Sequence, residues 1–528
     1  MRPVYALLDA AVATDPSAPF IDFLGRRFTY GAAAGLVAKV ACGLQRLGVG
    51  KGVKVGLFMP NCAYGVICFF AILKAGGTVV NYNPLDAERE LVREIEDSET
   101  EVMMTLDLAP LCRKLAAALE ATRLRRVVVC PFGRSLPLLK SVSFHLMHRQ
   151  ERARLPPDPR YLPFAALIRN DGAYEPVEIA PLTDIAVIQY TGGTTGDPKG
   201  VMLSHQNIYA NACQLTAWFT AADPGRERLL AVLPFFHCFG MTAVMIFAAS
   251  LRAELIVLPR FNLKEALQAI ARKRVTLLVG VPTLFNAINR YTGTARYDFS
   301  SLKIGISGGD ALPRTVQEKF VALTGCLLAE GYGLTEGAPV ATCSNPLEGV
   351  DRPGSCGLPL PATTVEIVSI EGEERVLPAG AIGEICVRGP QVMLGYWKQP
   401  AATADALRSG RLHTGDIGRM DADGFVYFVE RRKEVIAVHG YKVYPRMVEE
   451  AIRLHPAVAD VAVTGVPDPV RGHAPKAFIV RAQGAVLTGE ALRAFLADKL
   501  SPVEIPRSIE FRDSLPKSAA GKTLKQRL

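Results

Sequence analysis

Residues 190–200 read YTGGTTGDPKG and combine residue types that are suited to binding phosphate. Glycines let the backbone approach a ligand closely, so that successive N–H groups can converge on an anion, and threonine hydroxyls add further donors. Lys199 adds a mobile positive charge. Because residues 201–203 follow like a strand, the spacing differs from that of a Walker A loop, which runs into a helix. The segment therefore predicts a phosphate-binding loop between two strands, with a flexible surface hairpin as the alternative.

Two glycine-rich motifs later in the chain suit other parts of a nucleotide. Residues 307–310 (SGGD) follow an apolar stretch, and a Gly-Gly pair at the carboxyl end of a strand allows a flat ring to lie against the backbone. Residues 330–336 (EGYGLTE) place Tyr332 between glycines, where its ring is free to stack, and set Thr335 beside Glu336. A hydroxyl next to a carboxylate suits a Mg²⁺ ion carried by a nucleotide, whereas a turn capped by Thr335 is the alternative.

Two further motifs have a structural and a functional interpretation. Residues 413–418 (HTGDIG) contain an aspartate that could accept two hydrogen bonds from a ribose diol, and an Asx turn is the alternative. Residues 233–241 (LPFFHCFGM) place one histidine among three aromatic residues. Such a histidine is more often a core residue, but it could also line an apolar substrate pocket near the reacting group.

The C-terminal residues 515–528 read LPKSAAGKTLKQRL. Basic tails are usually solvated, yet Lys522 follows a glycine in a segment introduced by Leu-Pro. This pattern predicts more order than a typical tail has.

Length and composition limit the class of protein. A chain of 528 residues is expected to form at least two domains, because a single core stops growing at about 250–300 residues. The net charge of +9 is spread without a long basic run, which favours anionic ligands such as nucleotides and indicates no nucleic-acid partner. The eleven cysteines form no CxxC motif and no cluster with histidine, which predicts reduced thiols and a cytoplasmic location.

The N-terminus shows no signal peptide, and no apolar stretch is long enough to cross a membrane. Residues 135–154 nevertheless mix apolar residues with lysine, histidine and arginine and contain one acid, Glu151. A basic amphipathic segment of this kind can lie on the anionic inner face of a membrane, and a surface helix packed on its own domain is the more common alternative. The sequence leaves such peripheral membrane contact open, as it does a homodimer.

The elements that must position these motifs alternate between helix and strand. Helical spacing over residues 29–48 is followed by a strand at 54–60 and by a helix that Asn61 could cap and that ends near Gly76. This alternation predicts parallel sheets. After about Ser355 the strands become short and no long helix intervenes, which predicts a β-rich subdomain. We predict an N-terminal domain over residues 1–430, a hinge at 431–433 and a small C-terminal domain over 434–528.

Read together and in chain order, these motifs resemble those of the adenylate-forming superfamily of acyl-CoA synthetases, luciferases and peptide-synthetase adenylation domains. The resemblance covers nearly the whole chain, and GPQVMLGYW and EFRDSLPKS are most similar to bacterial long-chain fatty acyl-CoA synthetases. The matching strings are YTGGTTGDPKG, LPFFHCFG, SGGDALP, GYGLTE, GEICVRGPQVMLGYW, HTGDIG, ERRKEVIAVHGYKVYP and LPKSAAGK.

The resemblance implies an α/β fold with a large N-terminal domain of two doubly wound α/β subdomains plus a β-rich subdomain, and a small mobile α/β C-terminal domain. It also implies a two-step reaction. A fatty acid of medium to long chain attacks the α-phosphate of ATP, giving acyl-AMP and pyrophosphate, and the thiol of CoA then displaces AMP. Mg²⁺ is the implied cofactor. Because the first step brings two anions together, charge stabilisation and positioning must supply most of the catalysis.

By the same resemblance, the nucleotide and its metal ion are bound by residues from several motifs. Those at the β- and γ-phosphates are Thr191, Gly193, Thr194, Thr195 and Lys199, with Thr335 at the α-phosphate and Glu336 joining Thr191 at Mg²⁺. Those around adenine are Gly308, Gly309, Asp310 and Tyr332, and those at the ribose are Asp416 and Arg431.

The remaining implied roles concern the acid and the change between the two steps. Lys522 bridges the substrate carboxylate and the α-phosphate during adenylation, and Phe236 and His237 line the acyl pocket. Lys433 is the hinge about which the small domain turns. That turn removes Lys522 and presents Gly440 to the CoA tunnel.

Two departures from the family pattern concern the hinge region and remove no catalytic group. Glu430 stands where Asp or Gly is usual, and His439 lies in a loop otherwise written with small or polar residues.

Several alternatives stay open. A ligase for aryl or dicarboxylic acids has the same motifs, and a cation in the acyl pocket would favour a diacid. Peptide-synthetase adenylation is disfavoured because the aromatic stretch at 233–241 carries no carboxylate to bind an amine. A non-catalytic acyl or nucleotide sensor would be expected to lack Lys522, Glu336 or Asp416, and all three are present. A luciferase-type oxygenase depends on pocket details that the sequence does not show.

Overall fold

The structure is a computed structural model that describes residues 1–147, 149–191, 198–438, 441–468, 472–517 and 523–528. The predicted roles of Gly193, Thr194, Thr195, Gly440 and Lys522 therefore concern residues outside the described part of the chain.

The strands are, in chain order, β1 Pro19–Phe23, β2 Arg26–Thr29, β3 Lys54–Phe58, β4 Thr78–Asn81, β5 Thr100–Leu106, β6 Arg126–Cys130, β7 Tyr161–Pro163, β8 Ile185–Tyr190, β9 Gly200–Ser204, β10 Arg228–Ala231, β11 Glu254–Val257, β12 Leu277–Gly280, β13 Ile304–Ser307, β14 Leu327–Gly333, β15 Val340–Cys343, β16 Leu358–Pro359, β17 Thr364–Val368, β18 Gly383–Arg388, β19 Gly395–Tyr396, β20 Leu407–Arg408, β21 Arg411–Met420, β22 Val426–Arg431, β23 Ile436–Val438, β24 Tyr441–Val443, β25 Val458–Asp468, β26 Gly472–Arg481 and β27 Ser508–Arg512.

The α-helices are α1 Ala6–Thr14, α2 Tyr30–Arg46, α3 Ala63–Lys74, α4 Glu88–Ser98, α5 Ala109–Ala121, α6 Leu138–Met147, α7 Phe164–Leu167, α8 His205–Trp218, α9 Cys238–Gly240, α10 Phe247–Ser250, α11 Leu263–Lys273, α12 Pro282–Arg290, α13 Arg314–Thr324, α14 Pro400–Ala406, α15 Pro445–Arg453 and α16 Gly489–Leu496. A π-helical segment, Met241–Ile246, joins α9 to α10. Short 3₁₀ turns include Thr335–Gly337, Arg432–Glu434 and Lys525–Arg527.

Two large sheets form most of the N-terminal part. Within the described residues, one has the strand order β16-β15-β14-β13-β12-β10-β11-β1-β2 and the other β19-β9-β8-β4-β3-β5-β6-β7. The inner strands of both sheets run parallel. The outer pairs run antiparallel, except for β6 and β7, which are parallel. The alternation of helix and strand signals therefore predicted the parallel sheets correctly, because each parallel connection needs a crossover helix.

The β-rich subdomain that the sequence predicted after Ser355 is an antiparallel sheet of β17, β18, β21, β20 and β22. Beyond it, β24-β23-β26-β25 and β27 form a fourth sheet against α15 and α16. The buried hydrophobic residues of this last part form their own cluster between Ile436 and Leu496. The α/β fold class is confirmed, whereas the boundary at 431–433 stays a prediction.

One predicted helix start is wrong. Asn61 does not cap α3, whose N-cap is Cys62 without a side-chain hydrogen bond. The Asn61 side chain instead donates to the Leu233 carbonyl at 2.8 Å and accepts from the Phe235 N–H at 2.8 Å. The Asn61 amide therefore fixes the aromatic loop of residues 233–237, although Leu233 lies 172 residues away in sequence. By contrast, α2 ends as predicted, with Gly48 in the left-handed region at φ 88°.

Among the residues that the structure describes, no helix combines the length and the apolar composition needed to cross a bilayer.

Candidate active site

One cavity of about 1870 Å³ brings most of the predicted site residues together. Its wall includes the ends of β8, β13 and β14, the 3₁₀ turn at Thr335 and residues 431–433 of the predicted hinge. Thr523, Leu524 and Arg527, near the C-terminus, line the same cavity. Typical small-ligand sites occupy about 300–1,000 Å³, so this cavity has room for a nucleotide and a second ligand.

The base of the phosphate-binding loop is a β-ladder, as the sequence predicted. Tyr190 pairs with Gly200 across β8 and β9, and the Thr191 N–H donates to the Lys199 carbonyl at 3.0 Å. The Lys199 ammonium lies 4.7 Å from the centre of the Tyr396 ring. Thr191 and Lys199, at the two ends of the predicted loop, both line the cavity.

Glu336 faces the same space and is held by a residue that the sequence analysis did not single out. The Tyr396 hydroxyl donates to Glu336 Oε1 at 2.8 Å, and burial followed by the charge of Glu336 raises the pKa of Tyr396. Thr335 begins its 3₁₀ turn but is not the cap, because the N-cap is Leu334. The alternative of a turn capped by Thr335 is therefore wrong. The signal for Tyr396 was present in the GYW string, which places an aromatic residue after a glycine.

The predicted ribose site is built from three side chains in contact. Asp416 and Arg431 are register partners on β21 and β22, with Arg431 Nε 3.6 Å from Asp416 Oδ1. The Tyr332 hydroxyl donates to Asp416 Oδ2 at 2.8 Å. Asp416 lies on a strand and is 5% exposed, so the alternative of an Asx turn is wrong.

The Tyr332 ring is also more restricted than expected from the glycines on either side of it. Its side chain is 9% exposed, and burial, followed by the charge of Asp416, raises its pKa well above the usual value. The ring is therefore held in place by the hydroxyl bond to Asp416.

The Gly-Gly pair lies at the end of β13, as expected. A Cβ on Gly308 would lie 2.9 Å from the Phe239 ring, and Gly309 adopts φ 80°, so both positions favour glycine. Both residues line the cavity. Asp310 is exposed, accepts a hydrogen bond from the Ala311 N–H at 2.9 Å and is not among the lining residues. The structure thus brings two of these three predicted adenine residues to the cavity wall.

The aromatic loop reaches the cavity through Phe236 and His237. Gln189 donates to the Phe236 carbonyl at 2.9 Å, and His237 Nδ1 accepts from the Phe239 N–H at 3.2 Å. Burial lowers the pKa of His237, so the ring is neutral with its proton on Nε2. The His237 side chain is exposed and lines the cavity. The more common alternative, a histidine buried in the core, is therefore wrong.

Beyond His237 the wall becomes apolar. Leu215 of α8, Ala243 of the π-helical segment, Phe247 of α10 and Val340 of β15 are all buried and line the cavity. π-helical turns are rare and occur often at functional sites. None of the described cationic lining residues belongs to these four elements. This end of the cavity suits an uncharged, apolar ligand.

The segment that carries Lys522 is fixed at its base. The Leu524 N–H donates to the Pro516 carbonyl at 2.8 Å, and Lys517 pairs with Thr523 in an antiparallel bridge. Lys522 itself lies outside the described residues, but the neighbouring Thr523 lines the cavity. The chain therefore enters the cavity at the residue that follows Lys522.

Lys525, three residues later, was missed by the sequence analysis. Its Nζ lies 2.9 Å from Glu449 on α15 and 3.2 Å from Glu434 beside the hinge. Burial alone would lower the pKa of Lys525, but Glu449, Glu430 and Glu434 together raise it. In the sequence, Lys525 is one lysine of a basic tail, and the residues next to it do not indicate the three acids that surround it.

Glu430, the first departure from the family pattern, lies at the same place. Its carboxylate accepts from the Arg446 N–H at 2.7 Å, at the start of α15, and from the Arg431 N–H at 2.9 Å. Helix N-termini favour negative charge, so Glu430 joins the end of β22 to the small domain. Lys433 lines the cavity in the 3₁₀ turn that follows, where burial and then the charge of Arg431 lower its pKa.

A buried cluster of Glu384, Cys386 and His413 lies next to the ribose end. His413 Nδ1 is 3.0 Å from Glu384 Oε2 and 3.4 Å from Cys386 Sγ. The sequence showed no cysteine grouped with histidine, because these residues meet only through the register of β18 and β21. Burial raises the pKa of the Cys386 thiol to about 12, and a neutral thiol is a poor metal ligand.

Glu384 has a structural role in this cluster. It accepts from the Gly415 N–H at 3.0 Å, one residue before Asp416, and the guanidinium groups of Arg408 and Arg432 lie 3.5 and 3.8 Å away. Neighbouring cations disfavour a bound metal ion and stabilise the carboxylate instead. The cluster therefore fixes the backbone that presents Asp416.

The chain was compared with protein families and with known proteins. The model of the AMP-binding enzyme family matches residues 8–397, and that of the AMP-binding enzyme C-terminal domain matches residues 447–522. A long-chain-fatty-acid–CoA ligase from Bacillus subtilis is 40% identical over 530 aligned residues, which cover 100% of this chain and 94% of that protein.

Two solved structures of MatB from Rhodopseudomonas palustris, both 27% identical in sequence, differ in how well this chain matches them. The ATP-bound structure gives a TM-score of 0.87, covering 100% of this chain and 98% of that one. The apo structure gives 0.78, covering 99% and 97%. This chain is therefore more similar to the ATP-bound form. The two family matches span most of the chain and the Bacillus subtilis relative matches it along its whole length, so the chain belongs to the family of AMP-binding enzymes.

Proposed function

We propose that this enzyme is an ATP-dependent acid–CoA ligase that activates a fatty acid of medium to long chain. The observation that carries the proposal is one cavity whose lining combines the predicted phosphate, ribose and tail residues with buried apolar residues of α8, the π-helical segment, α10 and β15. Relatives named long-chain-fatty-acid–CoA ligase support the same substrate class.

In the first half-reaction, a carboxylate oxygen of the acid attacks the α-phosphorus of ATP. The bond to the β-phosphate breaks, and pyrophosphate leaves with the electron pair. Thr191 and Lys199 bind the outer phosphates at the base of the loop, and Gly193, Thr194 and Thr195 complete it. Thr335 contacts the α-phosphate, and Lys522 places its ammonium between the two reacting anions, where charge stabilisation has its largest effect.

The purine and ribose are bound at the other side of the α-phosphate. Gly308 and Gly309 allow adenine to lie against the backbone, and Tyr332 covers the ring. Asp310 belongs to the same proposed adenine site, although it does not line the cavity. Asp416 and Arg431 bind the ribose hydroxyls, since their side chains meet at the cavity wall. These contacts are needed in both half-reactions, because acyl-AMP retains the nucleoside.

Mg²⁺ is the proposed cofactor. The donor set fits, because the hydroxyl of Thr191 and the carboxylate of Glu336 line one cavity and offer the hard oxygen ligands that Mg²⁺ prefers. Few protein ligands suffice, since Mg²⁺ usually takes its remaining ligands from phosphates and water. When bound, the ion neutralises phosphate charge. Tyr396 orients Glu336 for this role by donating to its Oε1.

In the second half-reaction, the sulfur of CoA attacks the acyl carbonyl and the bond to AMP breaks. We propose that the small domain turns about Lys433 between the two steps. The turn withdraws Lys522 and brings Gly440 to the path of CoA. Contacts that cross the hinge, such as Glu430 to Arg446, belong to the arrangement described here and must change in that turn.

The apolar end favours a fatty acid over the alternatives. A dicarboxylic acid would need a cation to pair with its second carboxylate, and the described residues of α8, the π-helical segment and β15 offer none to the cavity. An aryl acid would fill less of the space. Phe236 and His237 lie where the acyl chain leaves the reacting carboxylate.

A pyrophosphate-release assay across medium-chain and long-chain fatty acids, aryl acids and dicarboxylic acids tests the proposal. Release should require ATP, Mg²⁺ and a fatty acid, and thioester should form only when CoA is added. Equal or greater release with a dicarboxylic or aryl acid would overturn the substrate class and leave the ligase chemistry standing. Absence of release with every acid would overturn the enzyme's proposed reaction.

The cellular setting is also a proposal. We propose that the enzyme works in the cytoplasm, where its thiols stay reduced. A homodimer stays a prediction of the sequence, which gel filtration with light scattering would test.

A further inference from the structure

Helix α6 presents an unusual outer surface. Leu138, Leu139, Val142, Leu146 and Met147 have relative exposures of 81%, 85%, 51%, 63% and 76%. The other strongly exposed hydrophobic residues of the described chain lie singly, for example Leu85 and Val486. Single exposed residues are normal on a protein surface, whereas a contiguous patch marks an interaction site.

These residues form one stripe because of helical spacing. Leu138, Val142 and Leu146 recur every fourth residue and therefore follow one face of the helix, and Leu139 lies beside them. The opposite face holds the helix to the protein through Phe144, which is 8% exposed and packs edge to face on Phe132 at 5.0 Å. The helix is thus docked on one side and uncovered on the other.

Positive charge surrounds the stripe. Residues 134–154 contain five lysines and arginines and a single acid, Glu151. Arg134 and Lys140 are exposed, and Lys140 Nζ donates to the Leu24 carbonyl at 2.9 Å. Arg26 begins β2 directly after the turn that contains Leu24, is also exposed and donates to the Arg134 carbonyl. Arg26 therefore adds a further cation to the rim of the apolar stripe.

We propose that this face of α6, with its rim of Arg26, Arg134 and Lys140, docks on a membrane surface that contains anionic lipids. Aliphatic side chains enter the boundary between headgroups and acyl chains, while the cations meet lipid phosphates. The helix of ten residues is about 15 Å long, too short for a bilayer core of about 30 Å, so it lies in the interface.

A second copy of the chain fits this surface less well. It would bring the same basic rim against itself in a chain whose net charge is already +9. A membrane surface with anionic lipids offers an apolar layer for the aliphatic stripe and negative charge for the basic rim. The proposal does not depend on the substrate of the enzyme.

Co-sedimentation of the full chain with vesicles provides the test, with phosphatidylcholine alone compared with phosphatidylcholine plus phosphatidylglycerol. The wild type should bind the anionic vesicles, and binding should weaken with salt and without phosphatidylglycerol. The double variant Leu139→Glu/Leu146→Glu should bind at least about tenfold more weakly, because two apolar anchors become anions. The variant Arg134→Gln/Lys140→Gln should lose the dependence on anionic lipid.

Two controls keep the result specific. Val486→Glu changes a residue that is 92% exposed elsewhere and should leave vesicle binding unchanged. A tryptophan placed by Leu139→Trp should shift its emission to the blue on anionic vesicles, which reports insertion directly. The variants of Leu139, Leu146 and Val486 should keep the thermal midpoint of the wild type, since these side chains are exposed.

Three outcomes would overturn the proposal. The first is wild-type protein that fails to bind anionic vesicles. The second is a double variant that binds as well as the wild type. The third is a concentration-dependent dimer that Leu139→Glu/Leu146→Glu dissociates, which would assign the face to a second copy.

Discussion

At the proposed ribose end of the cavity, Asp416 of β21 is held by Tyr332 of β14 and Arg431 of β22 through contacts of 2.8 and 3.6 Å. The phosphate end is assembled differently. There Thr191 and Lys199, at the ends of β8 and β9, line the cavity together with Thr523 near the C-terminus.

This difference matches what each end must do in the proposed reaction. The nucleoside stays bound through both half-reactions, so a preformed and buried ribose site serves each of them. The triphosphate exists only in the first, and we propose that the segment with Lys522 withdraws after it, when the small domain turns. A change at the ribose end should therefore impair both steps, whereas a change at the tail should impair one.

The largest effect is expected for Lys522, and it should distinguish the phosphate end from the ribose end most clearly. Lys522→Ala should lower the rate of acyl-AMP formation by about 100-fold or more, because it removes a charge between two reacting anions. Thioester formation from supplied acyl-AMP should stay near the wild-type rate. Pyrophosphate release and thioester formation, measured separately, check this, with Lys517→Ala at the base of the tail as the control. Equal loss of both half-reactions would refute the assigned role.

Asp416→Asn should impair both half-reactions. Removing a charged acceptor for the ribose should lower kcat/KM for ATP, and likewise for acyl-AMP, by about 10- to 100-fold. Tyr332→Phe is the matched control, since it removes the 2.8 Å bond to Asp416 and leaves the carboxylate. It should have a smaller effect on both steps. A loss confined to the ATP step would contradict the comparison between the two ends.

Lys525→Ala should slow adenylation by about tenfold, because the segment after Lys522 loses its ion pairs with Glu434 and Glu449. Lys525→Arg should restore most of the rate, since a longer cation still reaches both carboxylates. Lys499→Ala, which breaks a local pair with Asp498, serves as the control. The readout that distinguishes positioning from simple instability is a normal rate with supplied acyl-AMP. Equal slowing of that step would show that Lys525 acts on stability alone.

The smallest effect concerns Glu94 of α4, which lines the cavity outside both ends. Burial, followed by the charge of Asp86, raises its pKa from 4.5 to about 8. The folded state therefore binds this proton more tightly than the unfolded state. The resulting stability is present below pH 4.5 and is lost as the pH rises through about 8.

Glu94→Gln removes this titration. Its thermal midpoint should fall less than that of the wild type as the pH rises from about 5 to about 8. Glu88→Gln, at an exposed position on the same helix, should follow the wild type. Parallel curves for wild type and Glu94→Gln would show that the carboxyl group does not titrate in this range.

Much of the fold and the site could be predicted from local patterns. The alternation over residues 29–106 predicted α2, β3 and the parallel sheets, and the glycine-threonine segment predicted a loop between two strands. These predictions succeed because period, turn chemistry and capping depend on neighbours in sequence. The assignment of Asn61 as a cap failed for the opposite reason, since its partners are Leu233 and Phe235.

The sequence by itself determined the kinds of group available: a glycine-threonine loop, an acid beside a hydroxyl, an aspartate in a glycine-flanked motif and a late lysine. Only the tertiary structure decided which of them meet. The bond from Tyr332 to Asp416, the orientation of Glu336 by Tyr396 and the three acids around Lys525 join residues from 60 to 95 positions apart. The physical reason is that register and packing between elements fix such contacts, and neither is contained in any short stretch of the chain.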